Sequence, residues 1–426
     1  MKRKLCFTIV GFICGLITFA QQPKGITGDS NWMTNWTNFK PATTDYSEAT
    51  NILAGVIDKD TKLYKRNTYQ LTGVVYVTNN AVLTIEPGTV IRGDEETCGT
   101  LVITIGAKII AEGTETDPIV FTSSKNVAAR RPGNWGGIII LGEAPINKIG
   151  GISYLDFNLD PMMSHYGGKN QDDNSGILKY VRIEYSGRKI NALKELNGLS
   201  MAGVGRKTKF DFIQISYSND DSFECYGGDV NLNNLISYRA TDDDFDFTQG
   251  AQCNINNSIA IRHPFSSDIS GSRCFEIDSY DKIENADMTK KFTKINANNI
   301  TLVNLEKNNQ GLIRESVYIK ENSSLNLNNS IVSGFSPFIL LEGKIGSGAA
   351  NLVKVNIHEV KINNCTGSVV SEISSLDPEI QKWYSNDSFS LEYTNLTIPD
   401  LFTETSIKNN NPDFRIKVKS VLVINN

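Results

Sequence analysis

Histidine is scarce in this sequence, with 3 in 426 residues, and none forms a pair at metal-ligand spacing. Cys-x-x-Cys is absent as well, which excludes a zinc knuckle and a thiol oxidoreductase motif. There is no Gly-x-Ser-x-Gly elbow, no phosphate-binding glycine-rich loop and no dinucleotide fingerprint, and Gly203-Val204-Gly205 reads as a turn. Positive charge is not in excess. With 42 Lys+Arg against 47 Asp+Glu the net charge is −5, which argues against a nucleic-acid backbone as partner. No helical i, i+3, i+4 stripe of useful length intervenes among the short runs between Tyr69 and Phe121. What is present is 40% hydrophobic residues, enough for a large core and too many for a disordered chain.

The one long apolar run is N-terminal. Lys2, Arg3 and Lys4 precede an uncharged stretch from Leu5 to Phe19 and a small residue, Ala20. This pattern predicts a signal peptide over residues 1–20, since a membrane span needs roughly 20 apolar residues and this stretch is shorter. Cleavage removes three cations and takes the net charge from −5 to −8. Ile13 before Cys14 does not suit lipoprotein processing, so the mature chain is expected to be exported, without a lipid anchor or a transmembrane segment. Its compartment is secreted, cell surface or periplasm.

Residues 21–65 are polar, with Trp32, Trp36 and Phe39 among Asn and Thr, and are expected to cap the first coil of a repetitive region that begins near Tyr69. In that region short β-rich runs alternate with tight turns: Val74 to Val77, Ala81 to Ile85, Leu101 to Ile105, Lys108 to Ala111 and Ile119 to Phe121. Further on a motif recurs at Asn231-Leu232-Asn233-Asn234, Asn254-Ile255-Asn256-Asn257, Asn296-Ala297-Asn298-Asn299 and Asn326-Leu327-Asn328-Asn329, with Lys361-Ile362-Asn363-Asn364 as a weaker fifth copy. A coil of about 22 residues with insertions at one corner accounts for the unequal offsets. The fold expected is all-β: a parallel β-helix solenoid over residues 66–400, with a C-terminal tail or cap at 401–426.

Val230, Cys253, Ile295, Leu325 and Val360 precede the motif and are apolar every time, so that position points inward. Cys225 aligns with Phe247 and Ile277. Both cysteines are therefore expected to be buried thiols, and the five Cys that remain after cleavage (98, 225, 253, 274 and 365) cannot all pair. The Asn pairs recur at each coil, unlike a local ligand site, and predict left-handed corners with amides bonded from coil to coil.

Several stretches in combination resemble a known family: Leu83-Thr84-Ile85-Glu86-Pro87-Gly88-Thr89, Asn134-Trp135-Gly136-Gly137-Ile138, Tyr180-Val181-Arg182-Ile183-Glu184-Tyr185, Asn197-Gly198-Leu199, Asn219-Asp220-Asp221-Ser222-Phe223-Glu224 and Asp242-Asp243-Asp244-Phe245-Asp246. They are similar to the exported right-handed parallel β-helix proteins of Bacteroidota. The resemblance implies the handedness of the solenoid and a place at the cell envelope or outside it, more firmly than a function.

The acidic cluster carries the chemistry. If Phe223, Phe245 and Phe275 are inward equivalents, Glu224, Asp246 and Glu276 stand outward in one column, and Asp221, Asp243 and Arg273 in another. Stacked carboxylates repel, so they need a cation, an Arg or Lys, or a raised pKa; Arg273, Arg262, Arg239 and Lys282 are candidates. Three explanations stand side by side. The face is solvated and neutralised by Arg; or it binds a glycan or holds calcium, with Asp220, Asp221, Asp243 and Asp244 as ligands; or it is catalytic, with Asp243, Asp244, Glu224 and His263 as candidates. The last has a loose likeness to polygalacturonase-type glycosidases, but their Gly-His-Gly and Arg-x-Lys signatures are missing and His263 sits in Ile261-Arg262-His263-Pro264. Trp135 either stacks on a sugar or packs at a corner. The expected function is binding of a glycan or other surface polymer by a chain that is not clearly an enzyme, with an outer-membrane transport or surface complex as a further candidate partner. The alternatives are a polysaccharide hydrolase or lyase, and an adhesin or scaffold.

Overall fold

The computed structural model describes residues 24–192, 194–267, 271–306 and 312–417; the signal peptide expected at 1–20 and the end of the tail lie outside them. Short β-branched and aromatic runs broken by turn residues cannot each bury a face alone, so the strands stack coil on coil into one parallel sheet system of 28 strands. Each coil contributes strands to three faces in turn. Asp229–Tyr238 supplies the first two and Phe223–Tyr226 and Phe245–Thr248 the third, on successive coils. The architecture is a parallel β-helix, as the strand texture predicts.

Inward positions stay in register along the axis. Leu178, Phe210, Leu232, Ile255, Ala297, Leu327 and Ile357 form one buried column. Val230, Cys253, Ile295 and Leu325 form another, and Cys225 aligns with Phe247 and Ile277. Cys225, Cys253 and Cys274 are buried, and all five described cysteines are free thiols. The fifth copy of the motif is elsewhere than expected. Leu325 pairs with Val355 rather than Val360, so Asn356-Ile357-His358-Glu359 continues the ladder, while Lys361–Asn363 lies on the next face opposite Ile331–Ser333.

The Asn pairs are structural. Asn254, Asn296 and Asn326 each donate to the amide oxygen of the Asn one coil before, at 2.8–2.9 Å. The last Asn of each motif turns the corner at positive φ, 53° at Asn234, 50° at Asn257, 56° at Asn299 and 50° at Asn329, a conformation Asn tolerates better than most residues. Two coils use Tyr180 (φ 50°) and Phe212 (φ 52°) at the same corner, with their rings stacked at 4.5 Å.

The N-terminal segment is not an end cap. Gly25 N–H donates to Asn329 O, Ile26 N–H to Thr301 Oγ1, Thr27 N–H to Asn257 Oδ1, Asn38 N–H to Gln214 Oε1 and Tyr46 OH to Glu184 Oε1, at 2.7–2.9 Å. It is a strap that runs the length of the flank, against the order of the coils, and buries Trp36 and Phe39 there. The solenoid starts earlier than residue 66: Asn51–Ile57 and Thr61–Leu63 are its first coil, and Ile52 is 74% exposed on that edge strand. At the other end the helix Asp377–Tyr384 covers the core with Ile380 and Tyr384. The hairpin Phe402–Glu404 with Asp413–Ile416 returns along the flank to meet the strap, where Asn410 accepts from Phe39 N–H at 2.8 Å.

Candidate functional site

The third face carries the acidic residues. Over its first coils the outer side is apolar and covered. The insertion that includes Ser153–Tyr154 and His165–Tyr166 packs Ile146, Leu155 and Tyr166 on Tyr76, Val102, Ile139, Leu141 and Tyr226. Where this cover ends, the outward column continues as Ser200, Glu224, Asp246, Glu276 and Tyr318, one per coil, as the Phe register predicts. Asp221 and Asp243 precede their strands in a second column, tied by Asp243 N–H to Asp221 Oδ1 at 2.9 Å and by Arg273 N–H to Asp243 Oδ1 at 2.5 Å. Asp221, Asp243, Asp246 and Glu276 line a cleft of about 420 Å³ with Asp242, Arg273, Tyr318 and Lys320, and Ser200 and Glu224 lie outside that lining.

Register arithmetic stopped short of part of the lining. Asp278 and Lys320 each stand three residues beyond an inward residue, Phe275 and Val317, and so form a third outward column after Thr248, which donates to Asp278 Oδ1 at 2.5 Å. The same count from Phe275 reaches Asp278, but the long insertion before Val317 conceals Lys320. Glu315 likewise continues the second column and takes Arg273 Nε at 2.9 Å. Arg273 also pairs with Glu276 at 2.7 Å, and Lys320 with Glu276 and, at 3.5 Å, Asp278. Among Arg273, Arg262, Arg239 and Lys282, only Arg273 lines the cleft.

Three expected site residues are placed elsewhere. Trp135 is fully buried, stacked on Phe121 with its Nε1–H on Glu184 O at 2.8 Å, so no sugar reaches it. Asp244 turns inward: it is fully buried, accepts from Ser237 Oγ and pairs with the equally buried Arg262 at 3.3 Å. It is therefore neither a surface metal ligand nor a catalytic group. His263 pairs with Glu306 at 3.1 Å and is not part of the cleft lining. The calcium set is regrouped as well. Oxygens that approach one another within 4.8 Å belong to Asp220, Asp221 and Asp242, and to Asp221, Glu224 and Asp246, without Asp243 or Asp244.

Burial governs the protonation of this cluster. It lifts Glu224 to about 8 against the bonds from Tyr226 and Asn197, which favour the anion. Burial, reinforced by neighbouring carboxylates, also pushes Asp221, Asp243 and Asp246 well above the ordinary range. For Glu224, the folded chain holds a proton that the unfolded chain releases at its ordinary value of 4.5. Its contribution to stability is thus full below that value and falls as pH rises toward about 8. Scanning calorimetry should show Tm falling across this window, and Glu224→Gln, which stays neutral, should flatten the fall; an unchanged slope refutes the assignment.

The family comparison agrees with this architecture. The pectate-lyase-like β-helix domain family matches residues 55–398, and the chain belongs to that family of right-handed parallel β-helices. Among solved structures it is similar to full-length tailspike protein 2 of Escherichia coli O157:H7 bacteriophage CAB120, at 12% identity over 78% of this chain and 38% of that one, with a TM-score of 0.25. The enzymatically active domain of bacteriophage CBA120 tailspike protein 2 matches at 12% identity over 78% of this chain and 42% of its own, with a TM-score of 0.24. The chain thus spans less than half the length of either, and similarity at this level carries no functional inference. No curated protein matches the chain.

Proposed function

We propose that this is an exported protein of the cell envelope or its surroundings that binds a glycan in the acidic cleft. The observation that supports this reading is the position of the cleft. It opens on the outer face of a regular parallel sheet, just past the inserted cover, so that a linear polymer can lie across successive coils and meet Asp246, Glu276 and Tyr318 in turn. Affinity electrophoresis in gels that contain neutral, acidic or amino polysaccharides tests it. One of these polymers should retard the mature chain, and Asp246→Asn with Tyr318→Ala should abolish the retardation; retardation by none of them, or no effect of the substitutions, rejects the reading.

A second reading, cleavage of the bound glycan, is favoured by one observation. Glu224 keeps its proton at neutral pH and stands two coils from Glu276, which is paired with Arg273 and Lys320, in the same outward column, and a proton-bearing carboxyl set apart from a second, cation-paired one is what glycoside hydrolysis requires. A reducing-end assay on the retarding polymer decides. If Glu224 is the acid, Glu224→Gln should lower turnover by about 100-fold or more, the scale of general acid catalysis, with binding retained.

A further inference from the structure

The two ends of the solenoid are finished differently. At the C-terminal end the helix Asp377–Tyr384 lays Ile380 and Tyr384 over the core, and the last strand of the second face, Glu392–Thr394, carries a charge. At the other end the first coil is bare. Among the described residues Asn51–Ile57 pairs only with Thr68–Val77, and Thr61–Leu63 only with Val82–Ile85, so each leaves one row of backbone N–H and C=O groups without a strand. Asn51–Ile57 holds neither a charge nor a proline, two devices that blunt a natural edge. Ile52 and Val56 beside that edge are 74% and 54% exposed. A solenoid end of this kind needs a cap.

The chain's own ends lead elsewhere. The strap begins far from the bare end: Gly25 N–H donates to Asn329 O, eight coils from Thr61–Leu63, roughly 38 Å at 4.8 Å per coil. Residues 21–23, which precede it in the mature chain, span at most roughly 10 Å. At the C-terminus Asn410 meets Phe39 while Arg415 meets Gly28, so the chain runs away from the first coil as it leaves the hairpin.

Charge selects the occupant. Three faces make the bare end a triangle, and a second copy set against it by a two-fold axis has three ways to lie, each axis passing through one corner and the middle of the opposite strand. One end of Thr61–Leu63 is the exposed corner Asp58-Lys59-Asp60, and the other leads into the exposed Tyr64-Lys65-Arg66. Lys65 is paired with Asp117, whereas neither Asp58 nor Arg66 has an ion pair among the described residues. Only the axis through the middle of Thr61–Leu63 sets each Asp58 against the Arg66 of the other copy; either alternative sets one of these corners against itself. The same axis makes the edges antiparallel throughout, Thr61–Leu63 against its own copy and residues 51–54 against 56–57 of the copy. Its cost is Lys62, which meets its own copy near the axis. Head-to-tail stacking is barred because the far end is already covered by its helix, so the assembly closes at two.

We infer that the first coil is the interface of an end-to-end, two-fold dimer, in which the sheets of two solenoids run on into each other and one rod carries two acidic clefts. The inference is independent of what the cleft binds.

Sedimentation velocity on the mature chain tests it, with circular dichroism as the check on folding. At tens of micromolar the protein should sediment with twice the mass of one chain. Ile52→Lys with Val56→Lys should give a folded monomer; if that variant does not fold, Ile52→Lys alone carries the test. Asp58→Lys and Arg66→Glu should each weaken the dimer by about tenfold or more, since each sets like charges across both corners. Their equimolar mixture should recover the dimer, because the heterodimer has one opposite-charge pair at each corner. A single-chain mass at every concentration, or a dimer that survives the lysines, overturns the inference. So does a mass that keeps growing with concentration, the mark of an open stack. A dimer that neither charge reversal weakens, or that the mixture fails to restore, overturns the two-fold axis and the proposal with it.

Discussion

Asp244→Ala is expected to destabilise the protein by about 3–5 kcal/mol, the cost of breaking a buried ion pair by removing one partner. Asp244 and Arg262 are both fully buried, 3.3 Å apart, inside the solenoid. Arg262 also donates to the backbone oxygens of Asp242 at 2.5 Å, Arg273 at 3.2 Å and Ser266 at 3.1 Å, so it holds the loops that lead into the cleft strands. Without Asp244 that guanidinium stays buried with carbonyls alone. Replacing both, Asp244→Leu with Arg262→Met, should recover much of the loss, since apolar residues of similar volume often equal a buried pair. Urea unfolding of the two variants measures this. A loss under about 1 kcal/mol in Asp244→Ala, accompanied by loss of glycan binding or turnover, would return Asp244 to the functional surface.

Trp36→Ala should cost a comparable amount, about 3–5 kcal/mol, the range for removing a large buried aromatic. The indole is fully buried, donates from Nε1 to Trp32 O at 2.8 Å and meets Tyr180 and Phe212 edge-on, with ring centroids 5.8 and 6.0 Å away. Those two rings occupy the corner where later coils place Asn, so at Trp36 the strap covers an aromatic stretch of the corner column. Because the strap also holds the C-terminal hairpin through Asn410, its loss should loosen both chain ends before the coils. Limited proteolysis should then cut Trp36→Ala first near residues 24–50 and 402–416, and Trp36→Phe should be milder. A variant with wild-type Tm and uncut ends would mean that the strap adds no stability.

Much of the coil was legible because its determinants are local. The Asn motif announces a left-handed corner, and the apolar residue before it faces inward because strand side chains alternate. That is why Cys253 could be placed with Val230 and Ile295, and why Glu224, Asp246 and Glu276 could be placed in one outward column from three Phe alone. The same arithmetic failed where insertions change the count. It missed Lys320, and it set Lys361 on the wrong face, because a single Asn pair marks two different corners and only strand pairing tells them apart.

The candidate site shows the limit more sharply. Asp243 and Asp244 are adjacent and chemically alike, yet one lines the cleft and the other is sealed inside with Arg262. Likewise, nothing local distinguishes a strap from an end cap. A polar segment with two Trp and a Phe can bury them against any apolar flank, and the flank it finds is made of residues from Tyr180 to Ile331. Composition and periodicity determined by themselves that this chain is a β-solenoid with an acidic column on one face, since alternation and corner chemistry act over a few residues. Only the tertiary structure decided which carboxylates meet, which cations they spend and which are left without a partner, because burial and charge balance depend on neighbours tens to hundreds of residues away in sequence.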